Sequence, residues 1–199
     1  MEFKTNVMGH SKEFRLRRFS NWFPLGLTYA AFYMGRYNLN VSSKTIMDLF
    51  NLSKADFGII ATAGFWTYAL SVIINGPLAD KIGGKKAILL GALGSTIVNL
   101  IVGLLFLNGW QTKIILGMSL LYSANQYFQS FGALSVVKVN SSWFHVKERG
   151  VFGGIFGIMI SSGYFLALTV GGYILSLLPW YYVFLIPAGF IFIMFVIDT

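Results

Sequence analysis

The chain has 199 residues, of which 56% are hydrophobic and 11% charged, and it carries a formal net charge of +8. A soluble domain usually holds about a quarter charged residues and about 45–50% apolar ones, so the bilayer is the expected solvent and an ordinary cytosolic globule is not. With no cysteine and only two histidines, His10 and His145, the chain has no disulfide framework, zinc-thiolate site or cysteine nucleophile and a poor basis for any metal site, and no cofactor is expected.

Residues 1–18 read as a basic, polar cytoplasmic tail, and residues 19–199 as six transmembrane helices with short connections. The first span runs from Phe19 to Val41 and is interrupted by one charge, Arg36. Its apolar run is too long for a cleaved signal peptide, and no small-residue cleavage site follows. The next loop ends in Ser53-Lys54-Ala55-Asp56, a capping-box pattern that starts the second span at about Lys54. Charge-free runs from Phe57 to Ala79, Ala87 to Thr112 and Ile114 to Val137 each supply one crossing, at about 20 residues per span. The run from Gly150 to Ile197 holds two, divided at Leu178-Pro179-Trp180. Within it, Gly150/Gly154 and Gly153/Gly157 form overlapping pairs that permit close helix approach, either as static packing inside the bundle or as a moving interface. His145 reads as a solvated residue of a basic loop.

Lysine and arginine fix the expected orientation. Lys4, Lys12, Arg15, Arg17 and Arg18 lie in the tail, Lys81, Lys85 and Lys86 in the second loop, and Lys138, Lys147 and Arg149 in the fourth. Only Lys44, Lys54 and Lys113 fall on the other side. Eleven against three places both termini in the cytoplasm. The net charge therefore reads as topology and not as a nucleic-acid footprint, with contact between the Arg15-Leu16-Arg17-Arg18 run and anionic headgroups as a second reading.

Arg36 does not fit a purely structural span. An arginine stays protonated, and at a bilayer centre it costs about 2.5–3.5 kcal/mol on insertion scales. No Asp or Glu occurs inside the six spans; Asp56 and Asp80 sit at the ends of the second. At about 100° per residue, Tyr29, Tyr33, Arg36 and Asn40 share one narrow stripe. A guanidinium fork beside two phenols and an amide suits phosphate or carboxylate oxygens, so the expected partner is an anionic small molecule.

Two stretches then carry a resemblance. Gly76-Pro77-Leu78-Ala79-Asp80-Lys81-Ile82-Gly83-Gly84-Lys85-Lys86 resembles the signature loop of the major facilitator superfamily. Tyr29-Ala30-Ala31-Phe32-Tyr33-Met34-Gly35-Arg36-Tyr37-Asn38 is similar to helix 1 of the organophosphate:phosphate antiporters, and Phe128–Gly132 and Trp143–Gly150 agree. The resemblance implies an all-α membrane protein, the N-terminal six-helix half of a facilitator. It implies that Arg36 grips a phosphoryl group, that Tyr29 and Tyr33 line the same cavity, and that Gln129 joins from helix 4. It gives Gly76 and Asp80 gating roles, with Lys81, Lys85 and Lys86 as charge partners or as simple topology. Two basic residues of the sugar-phosphate members are replaced here by Val72 and Ile160, with Asn75, Ser161 and Ser162 the nearest polar groups.

The resemblance also implies a missing C-terminal six-helix half, because alternating access needs a second repeat. The expected activity of the complete protein is exchange of an organic phosphate for inorganic phosphate across the bacterial inner membrane. A membrane sugar-phosphate sensor and an inactive truncated half are the alternatives. No nucleotide-binding Gly-x-x-x-x-Gly-Lys-Ser/Thr motif or paired catalytic carboxylates occur, so an enzyme is not expected.

Overall fold

A computed structural model describes residues 11–199. Lys4 and His10, counted above, lie outside the described residues. The described chain is helical almost throughout, in the order α1 (Lys12–Val41), α2 (Ser43–Phe50), α3 (Lys54–Ile82), α4 (Gly84–Leu107), α5 (Ile114–Trp143), a 3-10 turn (Val146–Glu148), α6 (Arg149–Leu177) and α7 (Tyr182–Asp198). Six long helices match the six spans read from the charge pattern; α2 is a short extra helix in the connection between the first two.

Side chains and glycines set the boundaries. Ser11 Oγ accepts from Phe14 N at 3.2 Å, so α1 begins seven residues ahead of the apolar run that opens at Phe19. The Ser53–Asp56 capping box is present in both directions, with Asp56 N donating to Ser53 Oγ at 3.1 Å and Ser53 N to Asp56 Oδ2 at 2.9 Å. Gly83, at φ 88°, makes the tight junction between α3 and α4, a conformation that L side chains rarely adopt. The last two helices part at Leu178-Pro179-Trp180, as the sequence predicts.

By length and composition, α3, α4 and the Val146–Leu177 segment are apolar enough to cross a membrane, and α7 is apolar but shorter. The remaining long helices, α1 and α5, are more polar because they carry Arg36 and the Asn125, Gln126 and Gln129 set. Large apolar side chains face outward, among them Ile73 at 74% and Trp66 at 65% exposure. In water such a surface would drive aggregation; in a bilayer it is the lipid contact.

In the bundle α1 packs on α6, α7, α5 and α4, while α5 also lies against α3 and α4, and α4 against α7. The approach of α6 to α1 is close at Gly163, where a Cβ would stand 2.7 Å from the Ala30 carbonyl oxygen. Gly163→Val should therefore lower stability by about 1–3 kcal/mol through overpacking against backbone that cannot yield, read as a lower melting temperature of the purified protein in detergent.

The interior is layered. One apolar cluster contains Leu25, Phe32, Ile88, Ala92, Val136 and Ile191, and a second contains Leu39, Val102, Phe106, Met118, Tyr122 and Phe184. Along α1, α4 and α5 the residues between the two clusters are polar and buried: Asn38, Ser95, Asn99, Asn125 and Gln129. A polar layer is thus clamped between two apolar ones at mid-depth.

Candidate substrate site

Arg36 emerges from α1 at this layer. Its Nε donates to Gln129 Oε1 of α5 at 2.9 Å. Its guanidinium carbon lies 5.1 Å from the Tyr33 ring centroid and 4.7 Å from that of Tyr68 on α3. Aromatic faces stabilise a cation electrostatically without neutralising it, by about 0.5–2 kcal/mol each. Nη2 is buried and has no hydrogen-bond partner among the described residues. One edge of the fork is therefore held by Gln129 while a second donor, Nη2, stays unmatched among the described residues, the arrangement of a cation with a donor left for a ligand oxygen.

A network fixes that orientation. Gln129 Nε2 donates to Ser95 Oγ at 3.2 Å, and Ser95 Oγ donates to Asn125 Oδ1 at 2.7 Å. Asn99 Nδ2 donates to Asn125 Oδ1 at 2.9 Å, and Asn38 Nδ2 to Asn99 Oδ1 at 2.6 Å. Asn125 Nδ2 closes the set by donating to the Gly35 carbonyl at 2.9 Å, next to Arg36 in the chain. Gly35 lets these groups come close: a Cβ there would meet Asn99 Nδ2 and Gln129 Nε2, each at 3.3 Å. Side-chain amides crossing between helices are well suited to holding membrane helices in register.

The stripe read from α1 is brought together in part. Tyr33 touches Arg36, and its ring stacks on Tyr37 with centroids 5.8 Å apart. Tyr29 is buried one turn away, edge-on to Tyr33 at 5.7 Å and stacked on Phe156 of α6. Asn40 is exposed beyond the cluster and makes no hydrogen bond with the others among the described residues. Tyr68 was not singled out from the sequence; its signal is the helical stripe Tyr68, Ser71 and Asn75, the polar face of an otherwise apolar α3. Ser95/Asn99 and Asn125/Gln129 repeat the same i, i+4 pattern on α4 and α5.

At the two positions where the resemblance implies basic residues, the side chains here are apolar. Val72 is half-buried on α3, and Ile160 packs at the edge of the first apolar cluster. Asn75 is committed to structure, its Nδ2 donating to Ser130 Oγ at 2.8 Å, and Ser161 and Ser162 are exposed on α6. Arg36 is thus the one cation described within this layer.

At the end of α3 the signature loop forms a different pair from the one its lysines suggest. Asp80 Oδ1 accepts from Lys138 Nζ at 2.6 Å, and the same ammonium donates to the Ala79 carbonyl at 3.1 Å. The sequence places Lys138 in a loop; it lies in the last turns of α5, where docking against α3 brings it to Asp80. Lys81 and Lys86 are exposed, and Lys85 Nζ donates to the Thr199 carbonyl at 3.4 Å. Gly76 faces open space, as do Gly150, Gly153, Gly154 and Gly157 on α6. Those four glycines therefore do not serve static packing inside the six-helix group.

Comparison with known proteins bears on the family of the chain. The sequence profile described as Major Facilitator Superfamily matches residues 25–198. The chain is 27% identical over 124 residues to the membrane sensor protein UhpC of Salmonella typhimurium, covering 62% of this chain and 26% of that protein. It is 25% identical over 175 residues to a D-galactonate transporter of Escherichia coli, covering 87% and 39%. It is 23% identical over 176 residues to a probable hexose phosphate transport protein of Chlamydia trachomatis, covering 88% and 37%. The chain thus spans well under half the length of these relatives. The sensor and the hexose phosphate protein support the organophosphate:phosphate branch that helix 1 resembles.

Proposed function

From the premise that this chain belongs to the major facilitator superfamily, a family of membrane transporters and not enzymes, we propose that it forms the N-terminal half of a carrier that exchanges an organic phosphate for inorganic phosphate. Arg36 binds the phosphoryl group, Gln129 and Tyr33 orient the fork, and Tyr68 and Tyr29 complete the aromatic wall. The observation that supports this most is the Arg36 guanidinium, held through Nε and carrying an unmatched buried Nη2. The site lies at mid-depth, where facilitators bind substrate between two repeats that rock about it. The missing repeat is a second six-helix half, seated on the open glycine face of α6 and the Gly76 face of α3. In the proposed topology both termini lie in the cytoplasm of a bacterial inner membrane.

Labelled-phosphate exchange by proteoliposomes of the complete protein tests the reading. Exchange is the expected result; tight binding of a sugar phosphate without flux would instead make the protein a sensor, in line with its likeness to UhpC. The likeness to a D-galactonate transporter, together with the single cation of the layer, favours a carboxylate as the second reading. A phosphate ester completes its second ionisation near pH 6, so its affinity should climb between pH 5 and pH 7 and then level off, whereas a carboxylate, ionised throughout, gives a flat profile.

The Asp80–Lys138 pair is proposed as a gating latch, supported by its place where α3 meets α5. Asp80 is 77% exposed and Lys138 29% exposed, and ion pairs of that kind contribute about 0–1 kcal/mol to folding. Asp80→Asn should accordingly leave the melting temperature within about 2 °C but change the exchange rate several-fold. An unchanged rate removes the latch.

A further inference from the structure

A groove of about 500 Å3 opens where α1 meets the start of α6, bordered by Arg15, Phe19, Trp22, Lys147, Val151 and Ile155. Its frame is rigid: Arg18 Nη1 contacts the Glu148 carboxylate at 3.1 Å, its guanidinium sits 4.7 Å over the Phe144 ring, and Trp22 packs edge-on to Phe152 at 5.3 Å. Arg18 is thereby engaged. Arg15 and Lys147, by contrast, are exposed at the same mouth, and their side chains form no ion pair among the described residues. Below these two cations the wall is apolar and open, with Val151 at 71%, Phe19 at 47% and Ile155 at 42% exposure.

The direction in which the groove opens separates it from the substrate site. Tyr164 marks the site-facing side of α6, packing on Tyr37 at 4.8 Å. At about 100° per residue, Ile155 and Val151 lie about 180° and about 140° around the helix from Tyr164. The groove therefore faces away from the substrate site, which is the lipid side in the proposed arrangement of the two halves. Two exposed cations at the end of the bundle, above an apolar wall, match one occupant, a phospholipid with net negative charge. A soluble anion would satisfy the cations and leave the wall uncovered, and a zwitterionic lipid brings its own ammonium to the same place.

We propose that this groove is a binding site for an anionic phospholipid of the cytoplasmic leaflet, its phosphate between Arg15 and Lys147 and an acyl chain along Val151 and Ile155. The site depends on membrane insertion and not on which substrate is carried. The test uses the complete protein in phosphatidylcholine nanodiscs doped with dibrominated phosphatidylglycerol or dibrominated phosphatidylcholine. The Trp22 signal is the difference between the protein and its Trp22→Phe variant. Brominated phosphatidylglycerol should quench Trp22 at about fivefold lower mole fraction than brominated phosphatidylcholine, by local enrichment at the cations. R15Q/K147Q should remove that preference, and K12Q/R17Q, which loses the same charge from exposed positions of α1, should keep it. Equal quenching by the two lipids overturns the proposal, as does equal loss in both double variants or displacement by millimolar inorganic phosphate. Absence of quenching by either lipid, the result if another polypeptide or a second copy covers the groove, overturns it too.

Discussion

Arg36→Lys in the complete protein is expected to lower phosphate exchange about 100-fold while leaving the fold intact, measured as labelled-phosphate uptake alongside thermal unfolding. Lysine keeps the charge, so the loss isolates geometry. Arg36 presents donors in a fixed plane: Nε is taken by Gln129 at 2.9 Å, and Nη2 is left for the ligand. A lysine ammonium cannot bond Gln129 and present a planar pair of donors to phosphate at once. Each charge-assisted bond lost removes about 1.5–3 kcal/mol, and 1.4 kcal/mol is a factor of ten. Arg36→Leu separates function from stability further. It should abolish exchange yet shift the melting temperature little, since relief of a costly membrane charge offsets the stranding of Gln129 Oε1. If Arg36→Leu unfolds the protein, Arg36 is a structural residue and the substrate assignment falls.

Asn125→Leu is the second large effect, and it acts at a distance from the ligand. Asn125 accepts from Ser95 and Asn99 and donates to the Gly35 carbonyl. Leucine has similar volume but strands those groups in a layer that water does not reach. Interhelical hydrogen bonds in membranes average only about 0.6 kcal/mol each, because the unfolded reference also finds partners. Left buried and unmatched, polar groups cost more, about 1–3 kcal/mol apiece. A total loss of about 2–4 kcal/mol follows, visible as a drop in melting temperature. Gln129 is seated through Ser95, so substrate affinity should fall about tenfold as the Arg36 fork loses its register. Asn125→Asp, which retains an acceptor for Ser95 and Asn99, should recover less than half of the affinity, because the amide donor to Gly35 is gone. Native affinity in Asn125→Leu would show that Gln129 alone orients the arginine.

The features legible in the sequence are those written along a single helix. Charge-free runs gave the long helices because water and lipid sort charges one residue at a time. Ser53 and Asp56 marked the start of α3 because a cap needs only three residues, and Arg36 stood out because one cation in an apolar run has no local excuse. What was not legible depends on which helix lies next to which. Tyr68 reaches Arg36 only once α3 docks on α5, and Lys138 reads as loop charge until that same docking brings it to Asp80. Asn40 shares the angular stripe of Arg36, yet it lies beyond the polar layer and stays exposed. Helical phase fixes direction around the axis but not depth along it. The open glycines of α6 show the converse: their spacing permits close packing, and the sequence does not say against what.

The layered interior has a mechanical consequence. Amide groups cross-linked at mid-depth form a stiff plate, with non-directional apolar packing of aliphatic and aromatic side chains to either side. Local opening should therefore begin at the two ends of the bundle and stop at the plate, so that backbone amides near Asn99 and Asn125 exchange with deuterium last. A bundle stiff at its waist and softer at its ends transmits tilt as a lever does: displacement at one membrane face is returned, reversed in sense, at the other.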